Sequence, residues 1–202
     1  MRSNAGAGVH HLKIISAGSS SKKAGKSRVA AYLVRELHAD YGLKVSSGGS
    51  HAGKLLIDDP AIIGKPGTDT GALVKAGAKR VLWLNSPPSK LAVELEKALD
   101  MFAPGGLLVI EGNSVLSHLT PDFVVFVMSV PFEEFKPSAT LALEKADLML
   151  VNRSGKLSST DSSELERWIH ERSHNATVIV YHDEESLASA LGETVRLARK
   201  HV

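Results

Sequence analysis

The chain has 202 residues, 43% of them hydrophobic and 23% charged, with a formal net charge of +2. That length suits one domain with a real core, and so small an excess charge, with no basic tract, excludes nucleic acid as the main ligand. Cysteine is absent, which excludes disulfides, thiolate nucleophiles and cysteine-ligated metal.

Met1 to Gly8 is small and polar and lacks the apolar centre of a signal peptide. No apolar run approaches membrane-spanning length. The expectation is a cytoplasmic protein, with a flexible tail over residues 1–10 and one nucleotide-binding domain over 11–202.

Leu12, Ile14 and Ile15 open the first strand. The stretch AGSSSKKAGKSRVAAYL, Ala17 to Leu33, follows it and leads into an amphipathic helix predicted from Lys26 to about Tyr41. Val29, Leu33, Val34 and Leu37 share one face of that helix, and Gly42 is its expected stop. Strand, glycine-rich turn and helix in this order form a phosphate-binding loop, because amides of the turn and the helix N-terminus can surround a polyphosphate. Gly18, Ser21, Lys23, Ala24, Gly25, Lys26, Ser27 and Arg28 are the predicted nucleotide contacts. Lys26 reaches the β- and γ-phosphates, and the Ser27 hydroxyl enters the Mg²⁺ shell.

The usual spacing puts a glycine where this chain has Ser20, and the nearest upstream glycine is Gly18. Either serine replaces glycine, which requires that its φ not be positive, or the loop is two residues longer. Lys22, Lys23 and Lys26 gather at a helix N-terminus, where positive charge opposes the helix dipole unless an anion is bound.

Leu43 to Ser47 reads as the second strand. The connection Gly48 to Gly67 is long enough to be functional, with an apolar patch at Leu55–Ile57. In it, Asp58 and Asp59 can offer oxygens to Mg²⁺ beside Ser27, with Asp59 the metal candidate, and His51 can reach a substrate. Asp69 to Gly77 reads as a short helix with Asp69 as its N-cap, followed by the strand Arg80–Leu84 and a helix over Ser89–Phe102.

Leu107–Ile110 is a buried strand ending in Glu111-Gly112-Asn113. A carboxylate there needs a partner, and Glu111 can hold Mg²⁺ through water or orient an attacking water. Asp122–Met128 reads as a central parallel strand, and Lys136 can contact an anionic substrate. A helix over Ser138–Lys145 precedes the strand Leu148–Val151, where Asn152 can hydrogen-bond a nucleobase. The Asn-Lys-x-Asp pattern of guanine-specific proteins is not reproduced at Asn152-Arg153-Ser154-Gly155, so ATP and GTP both stay open. Asp161 and Glu164 suggest a capping box ahead of a helix carrying Leu165, Trp168 and Ile169. Thr177–Tyr181 is the last strand, and Asp183 caps a final helix with Leu187, Leu191, Val195 and Leu197 inward. His10, His11, His170, His174 and His182 have no metal-ligand spacing.

This alternation predicts an α/β fold: a mostly parallel sheet flanked by helices in a P-loop NTPase-like three-layer sandwich. Ligands of such sheets bind outside the carboxyl ends of the strands, here Gly18, Ser47, Asn85, Glu111, Met128, Asn152 and His182.

Lys65-Pro66-Gly67-Thr68-Asp69-Thr70, then Ala76-Gly77-Ala78 and a strand, resembles the molybdopterin-guanine dinucleotide biosynthesis protein B family. The apolar strand Leu107 to Gly112, ending in Glu-Gly, matches a further family feature. The resemblance spans roughly Leu12 to Asn113. Thr68 stands where the family has Lys, and Asn113-Ser114 where it has Phe-Lys. The resemblance implies an often dimeric, GTPase-like accessory protein near the step joining molybdopterin to GMP, with Asp69 in its working site.

The catalytic candidates are therefore Lys26, Glu111 and Asp69, and the metal candidates Ser27, Glu111 and Asp59. Expected ligands are ATP or GTP with Mg²⁺, and a small anionic metabolite as second substrate. The expected assembly is a homodimer, with no nucleic-acid or membrane partner. Three functions fit: Mg²⁺-dependent hydrolysis or transfer of the γ-phosphate in molybdenum cofactor biosynthesis, a small-molecule kinase of another pathway, or a weakly catalytic nucleotide-binding adaptor.

Overall fold

Phe123–Ser129 (FVVFVMS) is apolar at six successive positions, and such a run is satisfied only in a strand covered on both faces. The computed structural model describes residues 12–47, 54–130, 135–153, 163, 167–169, 171–172 and 176–202, and it supplies that cover. The strands are β1 (Lys13–Ser19), β2 (Tyr41–Ser46), β3 (Leu56–Ile57), β4 (Arg80–Asn85), β5 (Leu107–Glu111), β6 (Phe123–Ser129), β7 (Leu148–Asn152) and β8 (Thr177–Tyr181). They form one sheet in the order β3-β4-β2-β5-β1-β6-β7-β8. All pairings are parallel except that of β3 with β4.

The helices are α1 (Lys26–Leu37), α2 (Pro60–Ile63), α3 (Asp69–Lys75), α4 (Pro88–Asp100), α5 (Pro137–Glu144) and α6 (Glu184–Ala198), with a 3₁₀ turn at Ser114–Ser117. Two apolar layers sandwich the sheet. Val29, Leu33 and Val34 of α1, Leu73 of α3 and Leu191 of α6 pack on Ile15, Val109 and Val125. On the other face Leu91 and Leu95 of α4, Leu116 and Ala142 pack on Leu43, Leu108 and Phe126. Among the described residues no helix is long and apolar enough to cross a membrane.

Several predicted boundaries move. Helix α1 ends at Leu37 rather than near Tyr41, because His38 turns left-handed at φ 53° and its N–H bonds the carbonyls of Arg35 and Val34. Gly42 is no helix stop. It lies inside β2, where a Cβ would come within 3.1 Å of Leu73 Cδ1, so its missing side chain makes room for α3. The apolar patch at Leu55–Ile57 becomes the antiparallel edge strand β3, and α2 follows it.

Asp69 does not cap its own helix. Thr68 does, accepting from Gly71 N at 3.1 Å, and Asp69 is left as the first helical residue. Asp183 caps α6 in a capping box closed by Ser186. Trp168 and Ile169 are helical, and Ile169 joins the core, whereas Asp161, Glu164 and Leu165 lie outside the described residues.

Gly112, directly after β5, has φ 152°, and a Cβ there would sit 2.7 Å from the Val45 carbonyl oxygen. Gly112→Ala combines that clash with backbone strain. It is expected to cost about 2 kcal/mol or more, seen as a lower urea midpoint with an unchanged slope.

Candidate active site

The loop between β1 and α1 is pinned at its start. Asn113 holds Ser19 with both ends of its amide: Ser19 N donates to Oδ1 at 2.8 Å, and Nδ2 donates to the Ser19 carbonyl at 2.8 Å. Gly18 allows this approach, since a Cβ would lie 2.9 Å from Asn113 Oδ1 and 3.1 Å from Ala142 Cβ. Among the described residues, the non-glycine positions with positive φ are Lys23 (69°) and His38 (53°). Ser20 is not one of them, so serine stands where glycine is usual without backbone strain. Gly25, at φ 104°, turns the chain into α1 and supplies no side-chain cap, and the first turn holds no acidic residue. The entry to α1 is thus open to an anion from elsewhere.

Below the loop, register brings charges together. Ala17 of β1 and Lys44 of β2 both pair with Glu111 of β5, one on each side. Side chains at paired positions of parallel strands share a face, here the face that α1 covers. Glu111 is fully buried. Its Oε1 accepts from Lys26 Nζ, from Lys44 Nζ at 2.7 Å and from Ser27 Oγ at 2.9 Å. Its Oε2 is buried with no partner. Asp69 closes the cluster: Oδ1 lies 2.7 Å from Ser27 Oγ, and Oδ2 accepts from Lys44 Nζ at 2.6 Å.

Ser27 has one hydroxyl proton and two carboxylate oxygens within reach, so one oxygen contact always lacks a hydrogen. The crowded oxygens of Ser27, Asp69 and Glu111, together with the orphaned Oε2, are a donor set suited to a hard cation such as Mg²⁺. The residues present therefore fit that ion. Two lysines and two carboxylates balance the cluster's charge.

Burial pushes Lys26 below the ordinary lysine value, against the pull of Glu111. For Lys44 burial acts the same way, but Glu111 and Asp69 together outweigh it and raise the group. Burial would raise Asp69; the hydrogen bonds from Lys44 and Ser27 more than offset this and hold it low.

The other predicted residues are placed as follows. Ala24 is buried, Lys23 is exposed, and Ser21 is exposed with its hydroxyl on the Lys22 carbonyl. Arg28 makes a two-pronged pair with Glu184 of α6, at 2.8 and 2.5 Å. Asn152 ends β7, on the side of β1 away from Glu111, and its carbonyl accepts from Val130 N. Asp59 acts locally as the N-cap of α2, accepting from Ala61 N at 2.9 Å; no described hydrogen bond ties it to Ser27 or Glu111. Asp58, Lys136 and His182 are exposed. His10, His11, His51, Ser154, Gly155, His170 and His174 lie outside the described residues.

Lys44 is the site residue that sequence reasoning missed. Its signal is a lone lysine between Leu43 and Val45 inside a strand, where a charge needs a buried partner.

No protein-family model matches the sequence, and no curated protein matches it. Among solved structures the chain is similar to HypB from Helicobacter pylori in complex with nickel, at 15% identity and a TM-score of 0.55, over 95% of this chain and 89% of that one. It is similar to the hydrogenase maturation factor HypB from Archaeoglobus fulgidus at 14% identity and a TM-score of 0.55, over 95% and 90%. At such identity the likeness is one of fold. The chain has the mostly parallel three-layer α/β fold of P-loop NTPases, and nothing in the likeness singles out the molybdopterin family within that group.

Proposed function

We propose that this protein binds a nucleoside triphosphate with Mg²⁺ at the β1–α1 loop and acts on the γ-phosphate. The observation that carries the reading is the convergence of Lys26, Ser27, Asp69 and Glu111 beneath an uncapped helix N-terminus. The loop from Gly18 through Ser21, Lys23, Ala24 and Gly25 to Ser27 wraps the phosphates with its amides, and Lys26 leaves Glu111 for the β- and γ-oxygens. Ser27, Asp69 and Glu111 would hold Mg²⁺, which would neutralise negative charge on the phosphates. Glu111 and Asp69 orient the attacking oxygen, and the rate rests on electrostatics. Arg28 and Asn152 lie toward the base. Asp59 is kept as a metal ligand only if it gives up its cap on α2.

The acceptor is water or a small anionic metabolite, and the working form is a homodimer. A role in molybdenum cofactor biosynthesis rests on Lys65–Thr70, Ala76–Ala78 and Glu111-Gly112 alone, so a kinase of another pathway stands level with it. A weakly catalytic adaptor is the second reading. It is favoured by the fact that both carboxylates of the site are engaged by lysines rather than held free for an attacking water.

Phosphate release from ATP and GTP tests the enzymatic reading. We expect release that stops when Mg²⁺ is chelated. Tight binding whose turnover rises only with an added anionic metabolite assigns the kinase, tight binding with no turnover under either condition assigns the adaptor, and neither binding nor release contradicts both.

A further inference from the structure

Lys44 has no task in the reading above, yet it is the second ammonium on Glu111 Oε1 and the only described ammonium that bonds Asp69. Its side chain is 15% exposed. Lysine on the inner face of a central strand is costly to desolvate, and in the resting site Glu111 already has Lys26 as its counter-ion. Lys44 balances Asp69 in the resting site, but so costly a cation calls for a reason in the bound site too.

The strand order gives one. Asn152 lies two strands from β1 on one side, through β6, and Lys44 lies two strands from β1 on the other, through β5. A nucleotide whose phosphates lie over β1 and whose base points toward β7 directs its terminal phosphate toward β5 and β2. When it binds, Lys26 and Ser27 turn to phosphate and metal. The negative charge that a terminal phosphoryl group brings into this poorly solvated place draws the Lys44 ammonium toward it.

The geometry points to Lys44 as the group that distinguishes a triphosphate from a diphosphate, its ammonium moving from Asp69 and Glu111 onto the terminal phosphoryl oxygens. This rests on the triphosphate reading and adds a γ-phosphate contact from a strand other than the one that feeds the loop. A diphosphate offers no oxygen there, so with ADP or GDP Lys44 stays on its carboxylates. The resting ion pairs are the off position of this contact.

The test is calorimetry of the wild type, Lys44→Gln and Lys44→Arg with Mg²⁺, using ADP and GDP against the imido analogues AMPPNP and GMPPNP. The wild type should prefer the triphosphate analogue. Lys44→Gln should lose about tenfold or more of that preference, as expected for one lost charge-assisted bond, with diphosphate affinity within about twofold of wild type. Lys44→Arg should recover most of the preference. A folded Lys44→Gln that keeps the wild-type ratio overturns the inference while leaving the triphosphate reading intact. Equal loss of both nucleotides overturns it too, since that marks a structural role. Failure of the wild type to bind any of the four removes both.

Discussion

Lys26→Ala yields a folded protein whose affinity for Mg²⁺-triphosphate falls about 100-fold or more, about 2.7 kcal/mol. The fold survives because Glu111 keeps Lys44 and Ser27 as partners after Lys26 is gone. Burial already disfavours the charged form of Lys26, so removing it relieves part of a desolvation cost. Binding has no such reserve. In the proposed complex Lys26 supplies the charge-assisted bonds to the terminal phosphates, and no other described lysine extends from the first turn of α1. Calorimetry on the variant, with circular dichroism to verify the fold, reads the two effects separately. Unchanged affinity in a folded Lys26→Ala protein would mean that phosphate does not sit in this loop.

Glu111→Gln acts differently. The amide keeps the size of the side chain and one acceptor but removes the negative charge beside two ammonium groups. With only Asp69 left to balance Lys26 and Lys44, the empty protein is expected to lose about 3–5 kcal/mol, the range for breaking a buried ion pair. In the proposed complex bound nucleotide supplies anions to both lysines, so affinity should change by less than about tenfold, whereas turnover at saturating nucleotide and Mg²⁺ should fall by about 100-fold or more. A melting curve and a phosphate-release assay separate these consequences. Wild-type turnover at saturation would take Glu111 out of the mechanism.

How far the sequence discloses this molecule depends on the range of the forces involved. The strands were legible because burial on both faces leaves a mark on each segment by itself, as in Phe123–Ser129 and Leu148–Asn152. The loop was legible for the same reason, its glycines, lysines and serines being contiguous. Helix ends were less so. His38 takes a left-handed turn that glycine usually fills, while Gly42 serves packing against Leu73.

The site lay furthest from view. Lys26 and Glu111 are 85 residues apart, and Ser27 and Asp69 42 apart, so only the sheet brings them together. Lys44 was hidden because β2 and β5 become neighbours through two crossovers, and nothing local to Leu43-Lys44-Val45 names its partner. At the start of α3 the expected cap was Asp69 itself. Thr68 took the cap, which freed the aspartate to reach across to Lys44 and Ser27. At Asp59 the opposite happened, and the local cap on α2 holds the carboxylate placed earlier beside the metal.

The most direct test of the account is calorimetric titration of the wild-type protein with ATP and with GTP, each with and without Mg²⁺. The account predicts binding of at least one of them that strengthens when Mg²⁺ is present, and the stronger of the two names the base. Absence of binding for both, with and without the ion, would contradict it, because an uncapped helix N-terminus above Lys26, Ser27, Asp69 and Glu111 would then hold no phosphate.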